Sequence, residues 1–314
     1  MRYWMLAATV TLSSFAIGVS LLAAAEATLL PVVARYFNAR PSSSRASSLL
    51  WLRLLPIAGA LAFAAAMVLP TFLYYEPANT DEPLTVTMML IAAAGLGLVA
   101  AGGMRIAHTW AATARLARRW RASGRPAADL APGLPTFVID EPFPTVAIVG
   151  ALRPTLFVSE RVLAECTADE INAMVAHERA HVAAYDNLKR LLLRGCPRLP
   201  FASELESAWS AAAEEAADAA AAAGHPERRF DLANALIRLA RLAPAPNLPA
   251  GISAFYPGGG IETRVRLLLN PAPPARRSYG WLLAAAGAAT IVVAYIASAP
   301  AIHAAMEALV RVVP

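Results

Sequence analysis

The sequence predicts a mainly α-helical membrane protein in which four membrane-crossing helices carry an inserted α+β domain. Three observations predict it. Of the 314 residues, 58% are hydrophobic and the mean hydropathy is +0.49, too apolar for an ordinary soluble chain. The apolar residues gather in four runs, each long enough to cross roughly 30 Å of hydrocarbon. Between the third and fourth runs, strand and helix signals alternate at ordinary polarity.

The first run, Tyr3 to Ala25, carries no charge and reads as a span. A cleaved signal peptide is the competing reading, because Arg2 precedes the run and Ala23, Ala24 and Ala25 resemble a small-residue cleavage site. The second run covers about Leu54 to Tyr75, the third Leu84 to Met104 and the fourth Gly280 to Ala299. Loop charges decide between span and signal peptide. Arg35, Arg40, Arg45 and Arg53 separate the first two runs, while Glu76, Asp81 and Glu82 separate the next two. Arg105, Arg115, Arg118, Arg119, Arg121 and Arg125 follow the third, and Arg276 and Arg277 precede the fourth. Under the positive-inside rule this alternation puts the N-terminus outside and the stretch from Arg105 to Arg277 in the cytoplasm. A cleaved signal would deprive the pattern of its first crossing.

The expected organisation is therefore three spans over 1–105, a basic helix and linker over 106–135, a cytoplasmic domain over 136–277, a fourth span over 278–300 and a short external tail over 301–314. The net charge of +5 is spent on arginines beside apolar runs, without aromatic and basic residues interleaved, so no direct nucleic-acid contact is expected. Cys166 and Cys196 show no ligand spacing and are read as reduced thiols.

Gly124-Arg-Pro126 and Pro132-Gly-Leu-Pro135 read as the linker. Three short segments rich in β-branched and aromatic residues follow, Thr136–Ile139, Val146–Val149 and Thr155–Val158, and predict a small antiparallel meander. Its segment Val146, Ala147, Ile148 and Val149 is a candidate edge for binding a substrate backbone by strand addition, with a purely structural sheet as the alternative.

The densest chemical signal is His177-Glu-Arg-Ala-His181. Side chains at i and i+4 share a helix face, so both imidazoles can reach one metal while Glu178 lies beside its open position. That is a zincin signature, with zinc as Lewis acid and Glu178 as general base. A surface histidine pair is the plain alternative. Context favours the metal: Thr167-Ala-Asp-Glu170 is a capping box that starts a helix before His177, and Ile171, Met174, Val175 and Val182 give it an apolar stripe.

Leu188 to Phe201 is basic and leucine-rich and fits the cytoplasmic face of a bilayer or, equally, an amphipathic core helix. A second capping box, Ser203 to Glu206, opens an alanine-rich helix. Within it, Glu214 is the candidate third ligand, Glu215 the spare, and Asp218 a candidate acceptor that orients a zinc-bound histidine. His225 is a candidate oxyanion donor or a plain loop residue. Phe230 to Leu242 reads as a core helix, Pro244 to Gly260 as a loop, and Glu262 to Leu269 as a short helix.

These pieces resemble the BlaR/MecR-type membrane metallopeptidases. The resemblance rests on Gly150-Ala-Leu-Arg-Pro154, His177 to His181, Asp186-Asn-Leu188 and Glu214-x-x-Ala-Asp218, and on three spans before the domain and one after it. It implies an α+β zincin-like metallopeptidase domain in a multi-pass protein of the bacterial inner membrane. Implied too are Zn2+ held by His177, His181 and Glu214, with Glu178 as base, and a protein or peptide substrate, in that family a cytoplasmic transcriptional repressor or an associated membrane protein. The chain departs from the sensors in carrying only a short tail where they have a penicillin-binding domain, so β-lactam sensing by that route is not expected. CAAX-prenyl-endopeptidase and HtpX-type membrane peptidases share the zinc motifs and are the alternative, with protein quality control as the implied role. A non-catalytic membrane signalling or scaffold protein retaining the motif is the third.

Overall fold

The computed structural model describes residues 2–38, 40–77, 84–199, 201–242, 253–254, 260–270 and 304. The expected fourth span, Gly280 to Ala299, lies outside the described residues, as do Asp81, Glu82, Arg276, Arg277 and, save residue 304, the tail over 301–314.

Among the described residues, three helical stretches are long and apolar enough to cross a membrane: Arg2–Thr28, Ser42–Tyr75 and Val86–Ser123. Helix α1 runs Arg2–Asn38. The second stretch is α2 (Ser42–Phe63), a π turn over Ala64–Val68 and α3 (Leu69–Tyr75). The π turn has a local cause: Pro70 has no N–H to give Ala66 and its ring crowds that carbonyl, and widening the helix ahead of it relieves both. Helix α4 runs unbroken over Val86–Ser123, starting at Thr85, whose hydroxyl accepts from the Met88 amide.

Small residues set the distance between these helices. A Cβ at Gly95 would lie 2.5 Å from the Leu12 carbonyl oxygen, so α4 can approach α1 only without one. Ser13 donates to the Met88 carbonyl across the same contact.

Two expected boundaries move. The second helix begins well before the apolar run because its first turns belong to the domain: Ala46, Leu49 and Leu50 are buried against Leu205, Trp209, Ala212 and Ala213 of α8 (Ala202–Ala221). The basic helix expected after the third span is no separate element but the end of α4.

Past α4 the chain forms β1 (Arg125–Pro126), a 3-10 turn (Ala128–Leu130), β2 (Thr136–Ile139), β3 (Val146–Val149) and β4 (Thr155–Ser159). The helices α5 (Glu160–Glu165), α6 (Ala168–Ala183), α7 (Asp186–Gly195), α8 and α9 (Arg228–Leu242) follow, then β5 (Ser253–Ala254) and α10 (Ile261–Leu269). The strand order is β1-β2-β4-β3-β5, with β2 and β4 parallel and the other pairs antiparallel. The expected meander is thus corrected. The β2–β3 connection holds Pro142 and Pro144 and does not fold back as a tight turn, so β3 passes over and returns through Gly150 to place β4 in the middle. Gly150 has φ +107° and a Cβ there would meet the Arg153 carbonyl at 2.5 Å, which reserves the turn for glycine. The expected linker at Gly124–Pro126 is also partly strand, because Arg125 and Pro126 pair with Val138 and Phe137.

Both faces of the sheet are covered, which is why β3 and β4 are buried at every position. Val146, Ile148, Leu156 and Val158 face Ala173, Met174 and Val175 of α6 and Leu232 and Leu236 of α9. On the opposite face Ile139, Val149 and Phe157 meet Ala117 and Trp120 at the end of α4.

Helix α7 packs chiefly against α4, and its Leu193 joins Leu205 and Trp209 of α8 in one buried cluster. The two backbones meet at Gly102 and Gly195: a Cβ at Gly102 would lie 2.6 Å from the Gly195 carbonyl oxygen. Arg105 donates to the carbonyls of Arg194, Gly195 and Cys196, which caps the carbonyl end of α7 with a cation. Arg53 binds the Pro197 carbonyl at 2.7 Å and Glu206 at 3.1 Å. The capping box expected at Ser203 does not form: α8 starts from Phe201 at φ +64°, and Glu206 is taken by Arg53.

Candidate metal centre

The helix that carries the two histidines is built as its sequence directs. Thr167 accepts from the Glu170 amide while the Glu170 carboxylate accepts from the Thr167 amide, so both orphan donors at the start of α6 are satisfied. Arg238 of α9 pairs with the same Glu170 and ties the start of α6 to α9. Three turns on, His177, Glu178 and His181 are buried.

The two rings converge. Nε2 of His177 and Nε2 of His181 lie 3.1 Å apart. On the far side of each ring stands a carboxylate: Asp218 Oδ1 lies 2.8 Å from His177 Nδ1, and Asp186 Oδ2 lies 2.7 Å from His181 Nδ1. A carboxylate at Nδ1 keeps the proton there, so the lone pair of each Nε2 points inward. Glu214, from α8, adds its two oxygens at 3.4 Å from His177 Nε2 and 3.6 Å from His181 Nε2. One ligand atom from each of His177, His181 and Glu214 lies within 4.8 Å of the others.

So many buried acceptors around one point demand a positive charge. A proton meets the demand in part: burial pushes the His181 pKa down, but Asp186 and Glu214 outweigh it and raise it to about 9. A divalent cation meets it better. Two imidazoles and a carboxylate, each with outer hydrogen-bonding partners, are the donor set of an open catalytic zinc site.

The carboxylates are held in opposite states. For Glu214, burial favours the neutral form, yet His177, His181 and Arg264 around it hold it well below the usual carboxylate range. Arg264 comes from α10 and is itself buried; it reaches Glu214 Oε2 at 3.2 Å and Asp218 at 2.7 and 2.9 Å. Arg190 of α7 adds a contact to Glu214 Oε1 at 3.2 Å and lies over the Trp209 ring at 5.8 Å. Asp218 and Asp186 are likewise lowered against their burial, the first by Arg264 and His177, the second by His181 and Lys189. Glu178 differs. Burial raises its pKa more than the two histidines lower it. Its Oε2 accepts from the Ile148 amide at 3.2 Å, and its Oε1 is buried with no hydrogen-bond partner among the described residues.

The strand beside the cluster is β3. Besides the Ile148 amide held by Glu178, the carbonyls of Ile148 and Gly150 accept from Asn187 Nδ2 at 3.0 and 3.2 Å. Val146 to Val149 therefore do lie against the histidine helix, but the edge is partly covered: β5 pairs with Ala147 and Ile148.

Other expected residues go elsewhere. His225 is about half exposed in the turn after α8, bonded to Glu227 at 3.2 Å, and the structure does not bring it to the buried cluster. Glu215 turns away and pairs with Arg45 of α2. Arg190, for which a place facing lipid phosphate was one of two equal expectations, points to Glu214.

Sequence reasoning assigned no role to Asp186, Asn187 or Arg264. Asp186 had a signal, its place five residues after His181. The reversal between α6 and α7 puts Tyr185 at φ 57°, a left-handed conformation costing about 1 kcal/mol, and folds Asp186 back onto the ring. Arg264 had none, being 46 residues from Asp218 in the chain.

In comparison with known families, the profile of Peptidase family M48 matches residues 132–245, from just before β2 to just past α9. The match indicates a metallopeptidase domain and spans well under half of the chain. It takes in His177, His181, Glu214 and Asp218 and stops before Arg264. No curated protein matches the chain. The match and the apolar helices together fit a membrane-associated metallopeptidase.

Proposed function

We propose that this chain is a membrane-embedded zinc endopeptidase that cleaves a cytoplasmic or membrane-proximal protein in regulatory signalling. The observation that carries the reading is the convergence of His177, His181 and Glu214 on one buried point beside a carboxylate, Glu178, that keeps one oxygen free. His177, His181 and Glu214 would hold the ion, and Asp218 and Asp186 would keep both rings turned inward. Zinc, when bound there, supplies Lewis-acid polarisation of a peptide carbonyl and of the attacking water.

The remaining work falls to the protein. Glu178 Oε1 accepts the proton of the attacking water and returns it to the leaving amine. Its raised pKa suits both halves of that task, since a carboxylate that binds protons more readily is a better base and, once protonated, a usable acid. Its other oxygen, fixed by the Ile148 amide, keeps it from swinging away. A substrate strand laid along β3 would take the place of β5. A second reading, equally compatible with the M48 match, is an HtpX-like quality-control peptidase of the same membrane, whose chemistry would be identical and whose substrates would be misfolded membrane proteins.

The expected preparation holds about one zinc per chain and cleaves an unstructured protein until a chelator removes the metal. His177→Ala is expected to lose both. Full zinc content and cleavage in that variant would reject the site. Orientation has its own experiment: a cysteine placed at Asn79 should react with an impermeant reagent from outside the cell, and one at Gly133 should not. The reverse labelling would remove cytoplasmic substrates from consideration.

A further inference from the structure

Two arginines stand where apolar runs stop. Arg53 precedes the run that begins at Leu54 on α2, and Arg105 follows the run that ends at Met104 on α4. Both reach the same short segment. Arg105 donates to the carbonyls of Arg194, Gly195 and Cys196, and Arg53 donates to that of Pro197. Residues 194–197 are thereby held at the edge of the hydrocarbon that these stretches can cross. Trp51, two residues beyond Arg53 on α2 and 68% exposed, places an indole at the level of the headgroups.

From that level three helices lead to the histidine cluster, and each covers the distance in eight residues. On α7, Arg194 is eight residues from Asp186, which holds His181 Nδ1. On α8, Glu206, bonded to Arg53, is eight residues from Glu214. On α2, Arg53 is eight residues from Arg45, which pairs with Glu215 beside Glu214. Eight residues of helix rise about 12 Å, so the metal centre stands at most about 12 Å outside the hydrocarbon. The polar layer of a bilayer takes up about 5–7 Å of that. The height is fixed, since ion pairs tie α2 to α8 at both ends of the span, Arg53 to Glu206 and Arg45 to Glu215.

We propose that this height makes the centre a ruler: it cuts a protein anchored in the same bilayer in the stalk that leaves its membrane helix, about four to five residues past the end of that helix. The proposal rests on the peptidase reading and adds to it where the cut falls. A substrate strand laid along β3 is extended, at about 3.3 Å per residue, so about four residues climb the 12 Å. A sideways offset of one helix diameter, about 10 Å, lengthens the path to about 16 Å, or about five residues. A bond nearer the helix cannot reach the centre. One farther out reaches it less often, because the effective concentration of a tethered site falls as its tether lengthens.

The test uses the full zinc-loaded chain in liposomes with an anchored reporter, whose membrane helix continues into a stalk made by repeating one short peptide that the chain cleaves in solution. Cuts mapped by mass spectrometry are expected to cluster about four to six residues past the helix, and the free stalk peptide at equal concentration should be cut throughout and at least tenfold more slowly. Changing the first three stalk residues to leucine lengthens the helix and should move the cut three residues along. Cuts spread evenly along the anchored stalk, or unmoved by the leucines, overturn the ruler and leave the peptidase reading standing. A preparation that holds zinc and cleaves no peptide rejects that reading and the ruler with it. The height is also read without cleavage, in a chain carrying Cys166→Ala and Cys196→Ala. Lipids with a nitroxide on the headgroup should quench a fluorophore on Ala184→Cys, an exposed site beside Asp186, at least twofold more than one on His225→Cys. His225 lies past the far end of α8, whose Ala221 is about 22 Å from Glu206. Equal quenching at the two positions overturns the proposal.

Discussion

Glu178 on α6 and Glu214 on α8 are the same residue, both are buried, and they border the same point, yet the protein holds them in opposite states. Glu214 is surrounded: two histidines, Arg190 and Arg264 all reach it, and it stays ionised against the cost of burial. Glu178 receives one backbone amide, keeps one oxygen unbonded, and binds protons more readily than an exposed glutamate. The difference teaches that the neighbours, not the residue type or the burial, decide whether a carboxylate becomes a fixed charge fit to hold a cation or a proton carrier. The neighbours come from different places. Those of Glu214 arrive on α6, α7 and α10, whereas Glu178 depends on α6 and one strand.

The comparison breaks most visibly in catalysis. Glu178→Gln is expected to lower peptidase turnover by about 10²–10⁴-fold while bound metal is unchanged, because the amide cannot accept the proton. Glu214→Gln should lose metal and turnover together. Metal analysis alongside a peptide-cleavage assay checks this, and equal metal loss in both variants would mean that the two carboxylates share one role.

Next in size is the support of the fixed charge. Arg264→Met removes one partner of a buried pair and leaves Glu214 and Asp218 under-compensated, at an expected cost of about 3–5 kcal/mol in the unfolding of the metal-free protein. Arg179→Met, beside Glu178 in sequence but exposed and bonded among the described residues only to the Pro132 carbonyl, should stay within about 0.5 kcal/mol. Denaturant titration of the pair measures the contrast.

Smaller effects belong to the residues behind the histidines. Asp218→Asn and Asp186→Asn are each expected to weaken zinc binding about 10–100-fold, read by competition with a chromogenic chelator. A loss confined to Asp218→Asn would show that only the α8 side of the cluster sets the metal's hold.

The most gradual change is one of pH, since it builds up unit by unit. With the His181 pKa raised to about 9 in the metal-free site, the ring is protonated below that value, and an entering metal must displace the proton. Apparent zinc affinity should therefore fall as pH drops, about tenfold per unit below pH 9 for the one proton displaced. Flat affinity between pH 6 and 8, followed by isothermal titration in several buffers, would show that His181 is already neutral.

What could be read from the chain alone was whatever a single segment encodes. The helix through His177 and His181 announced itself by spacing, by the capping box at Thr167 and by its apolar stripe, all features within a few turns of one another. The first three apolar runs were legible for the same reason, though not their ends: α2 starts early because Ala46, Leu49 and Leu50 find a partner in α8, and no local pattern says so. Ser203 and Glu206 had the pattern of a cap, but Arg53 from a distant helix held the stronger claim on the carboxylate. The strand segments were visible, and their order was not, because pairing depends on how the chain between β2 and β3 crosses the sheet.

The site divides along the same line. Sequence by itself determined the residues that face the central point, His177, Glu178, His181 and Glu214, since their types and spacing carry the chemistry. Only the tertiary structure decided their electrical state. Arg264 on α10 fixes the charge of Glu214 and Asp218, and Asn187 clamps the strand that positions Glu178. Electrostatic interactions act through space over a few ångströms, and the groups that set a pKa can lie anywhere along a chain that brings them together.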